Sequence, residues 1–213
     1  MTRGAVVFTR KGEEGVVKRL LPLYAPFFDE TVIVCPDGQK PDIGQIRAIE
    51  GGESSHSGQG AVRRVMNGLT FASMLGHDLY CFLEYDACLL RAPAFFVGVQ
   101  ANRLSESNTD RWKLDHYLHF PWIIDAYNLK VLVSEMQECP FMEGFPDRWM
   151  AGQIDRLKIP TRDLIASGDG YSRNTIEPEH EEDFLLALER GVWALHGIKT
   201  DAMISHCEKW RTK

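Results

Sequence analysis

The sequence predicts an α/β protein in which a mostly parallel central sheet is flanked by helices in three layers. Three observations carry this. Short apolar, β-branched runs alternate with amphipathic stretches from residue 5 to residue 83, the order of βαβ units. The 213 residues are 44% hydrophobic and 25% charged, enough to fill one substantial core. No internal repeat, low-complexity tract or linker interrupts the chain, so residues 1–213 read as a single domain.

The run AVVFT over 5–9 reads as a buried strand bounded by charge. Residues 13–23 follow as a helix with Val16, Val17, Leu20 and Leu21 on one face. TVIVC over 31–35 is a second buried strand, stopped by the turn chemistry of Pro36, Asp37 and Gly38. Residues 45–50 suggest a third, shorter strand. The stretch 51–60, GGESSHSGQG, is too polar and glycine-rich for regular structure and reads as a mobile loop. Residues 61–75 are helical and 79–83 form a strand. Further on, 95–100 read as a strand. Residues 121–136 have helical spacing, with Pro121 at the start where proline is tolerated. Helices are also expected over 149–157, over 179–192 with its acidic N-terminal turn, and over 201–210.

The formal charge of -6 argues against bulk electrostatic binding of nucleic acid. The five cysteines (Cys35, Cys81, Cys88, Cys139, Cys207) show no ligand-like spacing and read as buried thiols of a reducing compartment. The apolar run near the N-terminus is too short for a signal peptide or a membrane span, so a cytoplasmic chain is expected. There is no G-x-G-x-x-G, no P-loop, no G-x-S-x-G elbow and no zinc spacing among the histidines.

The chemistry concentrates after the strand at 79–83. Glu84 and Asp86 stand one residue apart at its end, so strand alternation puts both carboxylates on one side. There they face the crevice where open α/β sheets bind ligands. Hard divalent cations take such oxygens, completed by phosphate and water. Late in the chain, His196 offers a neutral imidazole and Lys199 an ammonium for phosphate. Arg63 and Arg64, after a glycine loop, are further phosphate charges. Asp147 precedes Arg148 at a helix start, a cap position. The aromatic stretch 112–122, WKLDHYLHFPW, offers a stacking surface.

Taken together, these residues resemble GT-A-type glycosyltransferases, the nucleotide-diphospho-sugar transferase superfamily, and within it the inverting family-2-like enzymes. There a helix of the form A-x-x-N-x-G-L-x-x-A precedes an apolar strand ending in D-x-D. This chain gives Arg64, then Asn67-Gly68-Leu69 and Ala72, then Asp78 and Phe82-Leu83-Glu84-Tyr85-Asp86. It departs in that Asn67 and Gly68 are adjacent and the first acid is glutamate. The resemblance implies a GT-A-like sandwich and a Mn²⁺ or Mg²⁺ ion held by Asp86, Glu84 and His196. Asp86 would touch the metal directly, and Glu84 would reach ribose or a metal-bound water. It implies a nucleotide-sugar co-substrate, a UDP-sugar foremost, with Thr9 and Arg10 at base or pyrophosphate and Asp37 at uracil or ribose. Arg64 and Lys199 would meet the phosphates. Gly144 and Asp147 match the glycine loop and general base of inverting members, with Glu143 in reserve.

The expected activity is thus transfer of a sugar to an acceptor hydroxyl on a saccharide, a lipid-linked sugar, a protein or a modified nucleobase in DNA. A sugar-phosphate nucleotidyltransferase ranks behind it, because Thr9-Arg10-Lys11-Gly12 lacks the glycine density of such a loop. A non-catalytic module of the same fold that binds nucleotide or glycan is the third alternative.

Overall fold

β1 (Arg3–Phe8) is the hub of the molecule, here described from a computed structural model. The structure describes residues 1–44, 46–52, 58–102, 119–136, 146–163, 166–168 and 192–211, with 182, 185, 186 and 189. β1 pairs in parallel with β2 (Glu30–Cys35) on one side and β4 (Leu79–Glu84) on the other. Outside β2 lies β3 (Arg47–Glu50), also parallel. Beyond β4 come β7 (His119–Asp125), antiparallel to it, then β6 (Val99–Asn102) and β8 (Thr161–Asp163). The seven strands run in the order β3-β2-β1-β4-β7-β6-β8. A second, three-stranded sheet joins β5 (Cys88–Leu89), β10 (Ala194–His196) and β9 (Ala166–Gly168) in the order β5-β10-β9.

Both faces of the large sheet are covered, which is why β1, β2 and β4 are apolar almost throughout instead of alternating. On one face α1 (Glu14–Tyr24) and α5 (Asp201–Arg211) set Leu20, Leu21, Ile204 and Cys207 against Ala5, Val7, Ile33 and Leu83. On the other, α2 (Gly58–Ser73), α3 (Ala126–Met136) and α4 (Pro146–Arg156) set Val65, Leu69, Leu132 and Ile154 against Val6, Val34 and Phe82. Phe82 stacks on Trp122 at 4.4 Å between ring centroids, joining β4 to β7 across this second core. The expected α/β architecture with a mostly parallel sheet is therefore observed. Cys35, Cys81, Cys88 and Cys207 are buried and free; Cys139 lies outside the described residues. No helix among the described residues is long and apolar enough to cross a membrane.

One element departs from the sequence expectation. The helix expected over 121–136 is two elements: 121–125 belong to β7, and only Ala126–Met136 is helical. Asp125 makes the division. Its Oδ1 accepts hydrogen bonds from the backbone N–H groups of Tyr127 (3.1 Å) and Asn128 (3.2 Å), the bonds of an N-cap. Its Oδ2 accepts the Gly98 N–H at 2.6 Å and so ties the cap to the start of β6. Pro121 stands where the β6–β7 register shifts between Ala101 and Asn102, the kind of position a sheet leaves to proline.

Smaller differences follow the same logic. α2 begins at Gly58, inside the expected loop, and residues 53–57 of that loop lie outside the described set. β6 begins at Val99 and not at 95, because Gly98 adopts φ +124° to bring Val99 N–H onto the Pro160 carbonyl at 2.8 Å. A Cβ there would collide with that carbonyl. α4 begins at Pro146, three residues before the expected start. Most of the helix expected over 179–192 lies outside the described residues.

α1 and α5 are also joined at the surface. Arg19 donates from Nε and Nη2 to both oxygens of Glu208 (2.8 and 2.9 Å) and from Nη1 to Asp201 at 2.7 Å. The fork is bidentate but about a third exposed, so solvent takes back much of its Coulomb energy. Arg19→Ala should lower the free energy of unfolding by about 0.5–1 kcal/mol. A denaturant midpoint shift at unchanged slope would register it, and an unmoved midpoint would show that screening cancels the fork.

Candidate metal centre

Parallel pairing places the ends of β1, β2 and β4 in one row. Phe8 is in register with Val34 and with Glu84, and Cys35 with Glu50. Arg10, Asp37 and the Glu84–Asp86 pair therefore emerge at the same carboxyl edge of the sheet. β4 ends at Glu84, and the next residues turn back through the Ala87 N–H to the Glu84 carbonyl, a 3.1 Å bond. That turn sets up the small sheet: β5 pairs antiparallel with β10, Leu195 opposite Cys88. Two backbone bonds flank the pairing, Leu90 N–H to Trp193 O at 3.0 Å and Ile198 N–H to Asp86 O at 2.9 Å. Gly197, at φ +79°, lets the chain fold over for the second.

The result is that His196 meets both acids. Its Nε2 lies 2.8 Å from Glu84 Oε2 and 3.2 Å from Asp86 Oδ1. One ligand atom from each of Glu84, Asp86 and His196 falls within 4.8 Å of the others. Asp86 and His196 are buried, while Glu84 is partly open, with 23% of its side chain exposed. Burial by itself would lower the His196 pKa, but the two carboxylates push it up to about 10. Burial would raise the Glu84 carboxyl, but His196, and then Arg10, hold it down at about 2. Asp86 Oδ1 is buried, and its contact is the charged one to His196 Nε2 at 3.2 Å. A buried carboxylate oxygen held by one long contact is a place where a cation would bind favourably. Two carboxylates and an imidazole fit Mn²⁺, and Mg²⁺ through the carboxylates and water.

Cations line the same place. Arg10 Nη2 is 3.2 Å from Glu84 Oε1, and its guanidinium lies over the Tyr85 ring at 5.3 Å. Lys199 Nζ is 3.4 Å from Asp86 Oδ2 and is half exposed. Arg64, on α2, is buried; burial and then the charge of Arg10 lower its pKa while Glu84 opposes them, so all three share one electrostatic environment. Its stem packs beside Gly51, where a Cβ would meet it.

The remaining sequence candidates divide. Asp37 lies on the correct edge, but its Oδ1 accepts the Gly52 N–H at 3.0 Å and closes the β2–β3 connection. Thr9 is buried and its hydroxyl donates to the Val34 carbonyl at 3.5 Å, which turns it toward the backbone. Asp147 is in the first turn of α4, and its side chain lies outside the described set, as do Glu143 and Gly144. Sequence reasoning missed the Arg10–Glu84 pair and the Tyr85 platform, because ion pairing between strand ends leaves no local spacing to read.

No protein-family model matches this chain, and no curated protein matches it significantly.

Proposed function

We propose that this chain is a metal-dependent GT-A-type glycosyltransferase that moves a sugar from a nucleoside-diphosphate sugar to an acceptor hydroxyl. The observation that carries the reading is the convergence of Glu84, Asp86 and His196 at the carboxyl edge of the sheet. Open α/β sheets bind their ligands along that edge. Glu84, Asp86 and His196 would hold Mn²⁺ or Mg²⁺, which would supply positive charge against the leaving nucleoside diphosphate.

The chain's own residues supply the rest. Three cations, Arg10, Arg64 and Lys199, line two carboxylates, so the centre carries excess positive charge even before a divalent ion is added. A diphosphate is the anion that balances such a set. Arg64 is held rigidly by burial and suits a fixed phosphate contact, whereas the exposed Lys199 adapts to the ligand. Asp37, at the end of β2, is assigned to the base or ribose of UDP. Asp147, in the first turn of α4, is assigned to the acceptor proton.

A panel of nucleotide sugars, screened by thermal shift with and without Mn²⁺ and then for release of nucleoside diphosphate, tests the proposal. A UDP-sugar should raise the melting temperature only with metal, and its hydrolysis should need the metal. Exchange between a nucleoside triphosphate and a sugar phosphate would instead assign the chain to nucleotidyl transfer. Stabilisation by UDP with no turnover of any sugar nucleotide would reduce it to a binding module.

A further inference from the structure

The acid pair offers four carboxylate oxygens, and each faces a protein nitrogen. Glu84 Oε1 faces Arg10 at 3.2 Å and Oε2 faces His196 at 2.8 Å. Asp86 Oδ1 faces His196 at 3.2 Å and Oδ2 faces Lys199 at 3.4 Å. Protein cations therefore face the oxygens that a divalent ion would take. A metal ion on Glu84 and the Arg10 guanidinium on the same carboxylate are like charges a few ångströms apart in a partly buried site, where screening is weak. His196 escapes this conflict by becoming a ligand, and Lys199 by its exposed, flexible stem. Arg10 does not.

The geometry points to Arg10 as a positioning residue that neutralises Glu84 until a divalent cation arrives and then turns to the diphosphate, making metal and nucleotide bind cooperatively. This rests on the metal-centre reading above. Three observations support the exchange. Arg10 lies two residues past the end of β1, on a loop at the ligand-binding edge, with a quarter of its side chain exposed, so it has room to move. The guanidinium already lies over the Tyr85 ring at 5.3 Å, a contact that persists without Glu84 as partner. The planar fork that pairs with a carboxylate pairs equally well with phosphate oxygens. A residue that opposes the metal alone but favours the metal with a diphosphate couples the two ligands, and the coupling is reciprocal.

Calorimetry on the full chain tests this without turnover. Wild type, Arg10→Gln and Arg10→Lys are titrated with Mn²⁺ alone, and then with UDP at saturating Mn²⁺. Arg10→Gln should bind Mn²⁺ alone about tenfold more tightly, because a competing cation is gone. It should bind UDP in the presence of Mn²⁺ about tenfold more weakly, because a phosphate contact is gone. Arg10→Lys should recover most of both effects. Weaker Mn²⁺ binding by Arg10→Gln would mean that Arg10 merely holds Glu84 in place, and unchanged UDP binding would mean that it never reaches the phosphates; either overturns the inference. A wild-type chain that binds neither Mn²⁺ nor Mg²⁺ overturns the metal centre itself, and this inference with it.

Discussion

Asp86→Ala should lower Mn²⁺ affinity by about 100-fold or more and abolish metal-dependent release of UDP from any sugar nucleotide the wild type accepts. Asp86 supplies the most buried oxygens of the centre, one of them held by one long contact to His196. The backbone of the turn should survive, since the Ile198 N–H bonds to the Asp86 carbonyl and not to its side chain. His196 would keep Glu84 as its partner at 2.8 Å. The variant therefore separates metal binding from folding. A thermal melt without metal checks the fold, and a melt with metal reads the centre. At 100 times its dissociation constant, Mn²⁺ should add about 2.7 kcal/mol to the stability of the wild type and about 0.4 kcal/mol or less to the variant. A folded variant that still gains this stabilisation would remove Asp86 from the centre. Asp86→Asn, which keeps the shape and loses the charge, should behave like the alanine variant if charge is what holds the ion.

Mn²⁺ affinity should also rise steeply with pH. A metal ligand must be unprotonated, and in the metal-free protein His196 keeps its proton up to a pKa of about 10. Each ion bound below that value displaces one proton, so affinity climbs about tenfold per pH unit, or about 100-fold from pH 6.5 to 8.5. Glu84, at about 2, is ionised throughout and adds nothing to the slope. Calorimetry in buffers of different ionisation enthalpy should count the single released proton, and His196→Ala should remove both proton and slope. A flat profile in the wild type would exclude His196 as a ligand. Folding stability without metal follows the opposite course. The raised His196 pKa gives a contribution fully present below the unfolded value of about 6.5 and lost as pH rises through about 10. The depressed Glu84 pKa gives one present above about 4.5 and lost as pH falls toward about 2. Alkaline conditions should thus weaken the metal-free fold while strengthening its hold on metal.

How far the sequence could be read depended on the length of each element. β1, β2 and β4 were legible because a strand covered on both faces leaves a continuous apolar run, and α1 and α2 because their stripes recur over several turns. β5, β8, β9 and β10 are two or three residues long, too short to carry any period, so the sheet that delivers His196 left no trace. β7 failed for a different reason. Ile124 falls at helical spacing with Tyr127, Leu129 and Leu132 of α3, and periodicity alone cannot divide such a pattern. Asp125 was the available signal, a capping residue directly before the helix that forms.

The sequence alone determined the α/β order and the placing of two acids, one residue apart, at the end of a buried strand. Both are local properties, set by side-chain periodicity along a short stretch of backbone. Only the tertiary structure decided that His196, 112 residues beyond Glu84, comes within 2.8 Å of it, and that Arg10 and Lys199 occupy the remaining oxygens. Those approaches depend on which strands pair and in what register, and pairing is fixed by the burial of the whole core rather than by the residues that meet.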